Sequence, residues 1–379
     1  MRSPRLNPFL AAMFIATIFN LSAATVTWDG GGGNFSWQTP ANWSGDVLPN
    51  TLDDVVINVG GGITVTSTAN VTIRSLQCSN HLALTAGTFR VTTNASVVQG
   101  QLFVIGNPVL SASGPTTTFA LPAATNIDGV GLEALSNATL TASQVIGYSR
   151  GAGCFTTFWQ ATGGNGQINL PALASLTGPG CASHNLQVSS GGKILLPALT
   201  NLADGTLSFL ADGVNALIDL PLLATSDGTR AISLEAKNGG TIWSPLFVGG
   251  KTVTPVLRPL STLPMAQFTS LAGFTVAGTN VNFPLLTNLY NGSINVSSNA
   301  VTMTNLFAHD TPSCAVHTRQ VSDGQRVERP APRSMSGPCC GALEIRAFSG
   351  ALDFSADQWW KALLTSAPRG RTVSWIYPR

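Results

Sequence analysis

The sequence predicts an all-β fold, a right-handed parallel β-helix with coils of about 24 residues, and three observations carry that prediction. The first is an internal repeat. Gly166-Gln-Ile-Asn-Leu-Pro171, Gly192-Lys-Ile-Leu-Leu-Pro197, Ala216-Leu-Ile-Asp-Leu-Pro221 and Gly240-Thr-Ile-Trp-Ser-Pro245 share one layout, with prolines 26, 24 and 24 residues apart. The second is that the apolar runs are short and bounded by Gly, Asn, Asp and Ser, as strands are. The third is composition. Of 379 residues only 9% are charged, whereas a typical domain is nearer ~25%, and 39 residues are glycine.

One such unit cannot bury its apolar face alone, but stacked units share a continuous core. Each unit offers a run before the proline, a run after it (Leu199, Leu202) and a third run such as Thr206-Leu-Ser-Phe-Leu210. Proline lacks a ladder donor, so a proline at one phase of every unit marks a corner of the coil. A leucine-rich-repeat-like solenoid is the runner-up. It expects an Asn or Cys at a fixed place after the strand leucines, and no such position recurs here.

Taken in order, residues 1–24 read as a signal peptide. Arg2 and Arg5 precede the apolar Phe9 to Leu21, and Ser22-Ala23-Ala24 supplies small residues for cleavage before Thr25. The implied location is secreted, extracellular or at the cell surface, with no transmembrane segment after signal removal. Residues 25–60 read as a Trp-rich N-terminal cap. They contain Thr27-Trp28-Asp29, four glycines at 30–33, Asn34-Phe-Ser-Trp37, Asn42-Trp43, Leu48-Pro49 and Asp53-Asp-Val-Val-Ile57. This segment resembles the opening module of secreted bacterial autotransporter-like β-solenoid proteins. The resemblance implies large aromatics covering the open end of the first coil, where exposed strand edges otherwise template aggregation. A glycan platform built from Trp28, Trp37 and Trp43 is the rival expectation.

Residues 61–312 read as the solenoid, including an outlying corner at Phe119-Ala-Leu-Pro122 and degenerate units after residue 246. Residues 313–379 change character. Arg326-Val-Glu-Arg-Pro-Ala-Pro-Arg333 has no strand pattern and Asp357 to Leu364 is weakly helical, so a basic irregular tail is expected, not necessarily native to the repeat domain.

The chemistry-bearing residues are sparse. Net charge is +2, which gives no long-range attraction for nucleic acid or an anionic membrane. Cys154 and Cys181 lie 27 apart, about one coil, so they either bridge neighbouring coils or stay free and buried. No cysteine or histidine spacing suits a metal or a nucleophile, and no cofactor motif is present. Ordinary surface or turn histidines are expected at His81, His184, His309 and His317. Glycoside hydrolysis needs two carboxylates facing one groove. Asp53 and Asp54 are adjacent and would point to opposite faces, while Asp204, Asp212, Asp219 and Asp227 sit at turns or strand edges. No catalytic residue is therefore assigned. The aromatic stretch at Phe155, Phe158 and Trp159 is the candidate ligand-binding face; the other reading places those rings inside the stack. Seven Asn-x-Ser/Thr sequons, at Asn34, Asn42, Asn70, Asn94, Asn137, Asn291 and Asn295, matter only where the source glycosylates.

The function expected is a non-catalytic surface or extracellular-matrix repeat protein with an adhesive or structural role. Its partners would be extracellular polysaccharide or cell-surface components. A polysaccharide-active hydrolase or lyase and a glycan-binding module without turnover are the alternatives.

Overall fold

The computed structural model describes residues 23–150, 154–290, 294–297 and 300–306 in full, and the backbone alone of short strands between 308 and 376. The chain is a β-solenoid built almost wholly of parallel strands. A coil places one strand on each of three faces: Lys193–Leu195, Asn201–Leu202 and Leu207–Asp212, after which Leu217–Asp219 begins the next. Stacking gives a fourteen-stranded long sheet, a ten-stranded sheet whose face is continued by a four-stranded ladder starting at Val281–Asn282, and a third face of shorter three- and four-stranded ladders. Coil length is elastic: paired residues lie 17 apart at Val65 and Leu82, 18 at Val71 and Phe89, and 27 at Leu132 and Trp159.

The core follows from strand alternation and register. On the ten-stranded sheet Leu140, Ile168, Ile194, Ile218 and Ile242 are direct partners in successive coils, and each is fully buried. On the long sheet Trp159, Leu186, Phe209 and Leu234 form a second inward column. Side chains of successive strand residues point to opposite faces, so the intervening residues form matching outward columns.

The proline corner has a local cause. Leu173 N–H donates to Leu170 O (3.2 Å), Leu199 to Leu196 (3.1 Å) and Leu223 to Leu220 (3.2 Å). Each Leu-Pro-x-Leu is thus a four-residue turn with proline second, where its fixed φ is already suitable. Both leucines of each turn are buried. The fourth copy, Ser244-Pro-Leu-Phe247, keeps the same bond at 3.2 Å.

At the N-terminal end, Thr25–Thr27 pairs with Asp54–Val56 as the first strand of the ten-stranded sheet. Trp28, Trp37 and Trp43 are all buried. Trp43 lies 4.9 Å from Trp28 and 4.6 Å from Trp37, ring centre to ring centre, and Trp37 lies 5.0 Å from Phe89 in the coils beyond. Rings so enclosed present no platform to a sugar. The glycine run is explained by close approach: a Cβ on Gly32 would lie 2.7 Å from Thr39 Cγ2 and 2.8 Å from Asn42 Oδ1. Asn42 is itself buried, donating to Ser36 O (2.9 Å) and Asn34 Oδ1 (3.0 Å).

Beyond residue 312 the described strands His317–Ser322 and Leu343–Phe348 add to the long sheet, pairing in parallel with Ile294–Ser297 and with each other. At these segments the backbone is strand where an irregular tail was expected, and the ladder continues. The weakly helical reading of 357–364 and the signal peptide through residue 22 lie outside the described residues. Among the described residues no helix is long and apolar enough to cross a membrane.

Candidate functional site

One corner of the solenoid concentrates aromatic, basic and sulfur-bearing side chains. Here the chain leaves the third-face strand Gly147–Ser149 and enters the long-sheet strand Thr157–Thr162; the next coil repeats the passage from Ser175–Thr177 to His184–Ser189. Arg150 N–H donates to Thr177 O (3.2 Å), tying the two coils together. Cys154 and Cys181 are joined in a disulfide with Cα atoms 5.0 Å apart. The bridge pins one corner loop to the next.

The three aromatic candidates do not form one face. Phe155 is exposed (62%), Phe158 is half-buried and Trp159 is fully buried. The reason is alternation: Phe158 and Trp159 are neighbours in an extended strand and point oppositely. The three rings therefore share no sugar-stacking face, and Phe155 alone of them is exposed. The exposed rings Phe35, Phe103, Phe155 and Trp243 occupy separate segments, and none pairs with another in register.

Beneath this corner lies a buried cluster. Trp159 Nε1 donates to Val130 O (3.2 Å), and Tyr148 sits 4.8 Å from the Trp159 ring and 4.7 Å from the His184 ring, stacked on the latter. His184 has 0% exposure, contrary to the expected surface or turn histidine. Its Nδ1 lies 2.8 Å from Thr157 Oγ1. The structural reason is parity, since His184 shares the inward phase of Leu186 and Val188. Burial pushes the His184 imidazole pKa down to about 3, the positive charge of Arg150 pushes the same way, and Thr157 opposes weakly. Burial also pushes the Tyr148 phenol up to about 12, against the smaller influence of its Thr157 bond. A neutral, enclosed imidazole of such low basicity has no role as a general base near pH 7.

Three buried polar atoms of this cluster have no hydrogen-bond partner among the described residues: Arg150 Nε, Arg150 Nη2 and His184 Nε2. Arg150 is only 7% exposed, and the Phe155 ring lies 5.8 Å from its guanidinium carbon. Sequence reasoning took His184 for a surface or turn histidine and gave Arg150 no role. For His184 the signal was present in the alternation of His184-Asn-Leu-Gln-Val188; for Arg150 no sequence signal distinguished it from a surface arginine.

The carboxylates are held elsewhere. Asp53 accepts from Asn50 N (2.8 Å) and Nδ2 (2.7 Å), and Asp54 pairs with Arg74 (3.3 Å) and Ser75. Glu133 pairs with Arg90 (2.9 Å), Asp212 with Lys237 (3.3 Å) and Glu235 with Arg258 (3.4 Å). Asp227 accepts from Asn201 (2.7 Å) and Asp128 from Ser149 N (2.6 Å). Asp204 accepts from Thr229 N and Oγ1 (both 3.0 Å), and the Thr229 N–H holds its carboxyl below the ordinary range. Asp219 stands in the outward column between Leu195 and Trp243, with its carboxyl raised by burial. A second unengaged carboxylate does not face it among the described residues.

The sequon asparagines largely serve the backbone. Asn94 and Asn137 adopt positive φ (60° and 72°), Asn70 Oδ1 accepts from Thr88 N and Asn137 Oδ1 from Asn165 N. His81 Nδ1 accepts from Gln101 N (2.8 Å), and Cys78 is a buried free thiol that burial pushes up to about 11. No group of three or more His, Cys, Asp or Glu suited to a metal occurs among the described residues. Cys314, Cys339 and Cys340 lie outside the described residues. Comparison with known proteins returned no match to a family model, a curated protein or a solved structure.

Proposed function

We propose that this chain is a secreted, non-catalytic surface or matrix protein whose flanks mediate adhesion or assembly. The observation that carries the reading is the outward face of the long sheet. Gln160, Gln187, Leu210, Glu235 and Val256 follow one another in register, flanked by Phe158, Asn185, Ser208, Ser233 and Thr254 on one side. This is a regular, weakly charged strip with groups repeating every ~4.8 Å. A repeated strip binds through many weak contacts, each raising the effective concentration of the next. The engagement of nearly every described carboxylate in turns and ion pairs supports the absence of turnover. The resemblance of residues 25–60 to autotransporter-like solenoids and the leader-like residues 1–24 support export.

The test uses the full chain. Expression with its leader should give a mature N-terminus at Thr25 by mass spectrometry. The purified protein should be retained on insoluble polysaccharide or cell-envelope material, with no release of reducing ends or unsaturated products. Product release that Asp219→Asn abolishes would replace this reading with a carbohydrate-active enzyme. An N-terminus still at Met1 with the chain retained inside the cell would remove the secreted premise.

A further inference from the structure

The corner at Arg150 combines features that packing alone leaves without an account. A guanidinium is always charged, and burying one without an acceptor is costly. Arg90 and Lys237, by contrast, are matched: Arg90 reaches Glu133 and Ser111 Oγ (3.0 Å), and Lys237 reaches Asp212. Arg150 is 7% exposed and its Nε and Nη2 are unpartnered. Asp128 accepts from the Ser149 N–H and makes no ion pair with Arg150 among the described residues.

The two unpartnered atoms also form a shape. Nε and Nη2 lie on one edge of the planar guanidinium, and their two N–H groups make a parallel fork that matches the two oxygens of a carboxylate. Beside the fork stands Phe155, with 62% of its surface exposed. An exposed aromatic ring turns on the picosecond to nanosecond scale, and rotation of Phe155 is the movement that the site proposed below requires. The disulfide between Cys154 and Cys181 holds Phe155 at this position, since Cys154 is the adjacent residue.

We propose that Arg150 and Phe155 form a binding site for a carboxylated sugar, the carboxylate received on the Nε–Nη2 edge and the apolar face of the ring laid on Phe155. A flat ring next to a single fork suits a pyranose carrying one carboxylate, a uronic acid. A polymer of such residues has further purchase from Arg230, exposed on the same side of the solenoid; a Cβ on Gly180, next to Cys181, would lie 3.8 Å from its Nη2. The inference rests on the extracellular reading above and names the ligand class for it.

The experiment is isothermal titration of the full chain with a β-1,4-linked tetraglucuronate, its methyl ester and cellotetraose, an uncharged molecule of the same linkage. The tetraglucuronate should bind, and the ester and cellotetraose at least tenfold more weakly. Arg150→Gln and Phe155→Ala should each weaken binding at least tenfold, while Arg74→Gln, whose partner Asp54 lies on the ten-stranded sheet, leaves it unchanged. Should Arg150→Gln fail to fold, Arg150→Lys keeps the charge without the fork and Phe155→Ala alters only an exposed ring; both should lose affinity at wild-type melting temperature. Equal binding of acid and neutral tetrasaccharides, no binding of the acid, or full retention of affinity in Phe155→Ala and the folded Arg150 variant overturns the proposal. Competition by oligoglutamate as strong as by tetraglucuronate also overturns it, in favour of an acidic peptide. Retention of wild type on insoluble material without uronate binding by wild type sinks this site alone; loss of retention by wild type sinks the functional reading instead.

Discussion

Ile194→Ala tests the architecture most directly. Ile194 is fully buried, with Ile168 as its register partner in the preceding coil and Ile218 in the next. The substitution removes three carbons. At ~0.8 kcal/mol for each, the transfer term is about 2.4 kcal/mol. The coils above and below are pinned by their ladders, so collapse is partial. If about 40 Å³ stays empty, a cavity term of ~24 cal/mol per Å³ adds about 1 kcal/mol. The expected loss is therefore about 3 to 3.5 kcal/mol. Leu195→Ala deletes as many carbons from the next residue, which faces outward and is half-buried; it opens no cavity and should cost about 1 kcal/mol or less. Urea titrations followed by far-UV circular dichroism would report both as midpoint shifts at unchanged slope. Equal losses for the two variants, or a larger loss for Leu195→Ala, would refute the inward–outward assignment on which every column described above depends.

The remaining predictions concern the corner and the turns. The His184 pKa is low when folded and near ~6.5 when unfolded, so the unfolded chain takes up a proton first as pH falls. Stability should be unaffected by this group above pH ~6.5 and decline by about 1.4 kcal/mol per pH unit below it, until the folded pKa near 3. His184→Phe should flatten the decline between pH 6.5 and 5 in urea titrations; an unchanged slope would mean that His184 is not held neutral. Removing the Cys154–Cys181 bridge by a Cys181→Ser substitution should cost about 3 to 4 kcal/mol under oxidising conditions, the loop-entropy value for a separation of 27 residues; the same protein and wild type should converge in reducing buffer. Gly205 has φ +114°, and a Cβ there would lie 2.2 Å from the Gly178 carbonyl. Gly205→Ala should lower the melting temperature by several degrees, and Gly213→Ala, also at positive φ but with its nearest neighbour 3.5 Å away, should lower it less.

The parts of the fold legible in the sequence are those that recur. Proline at the second position of each Leu-Pro-x-Leu turn repeats because the turn repeats, and the isoleucine column is visible because its members share one phase. Single events were less legible. Residue type left two readings of Phe155, Phe158 and Trp159, a sugar-stacking face or rings inside the stack; adjacent rings in an extended strand divide between interior and solvent, and Trp159 is on the inner side. His184 was read by residue type when its parity with Leu186 and Val188 placed it inside. Arg150 could not be found from sequence, because what distinguishes it is the burial imposed by neighbouring coils. The coils with 18-residue spacing near Val71 and Phe89 lack the proline turn, so their stacking shows only in the ladder.

The parallel register has a mechanical corollary. Hydrogen bonds between coils run along the stacking axis, and each coil is held mainly by its two neighbours. A pull along that axis from one end loads a single coil boundary at a time, so the stack should pay out rather than snap. Releasing one coil of about 24 residues lengthens the chain by about 80 Å at ~3.5 Å per residue, while the coils still stacked keep their outward strip in register. For a protein tethered to a surface, that behaviour converts a sudden tug into a series of small extensions, with the attached columns still engaged after each one.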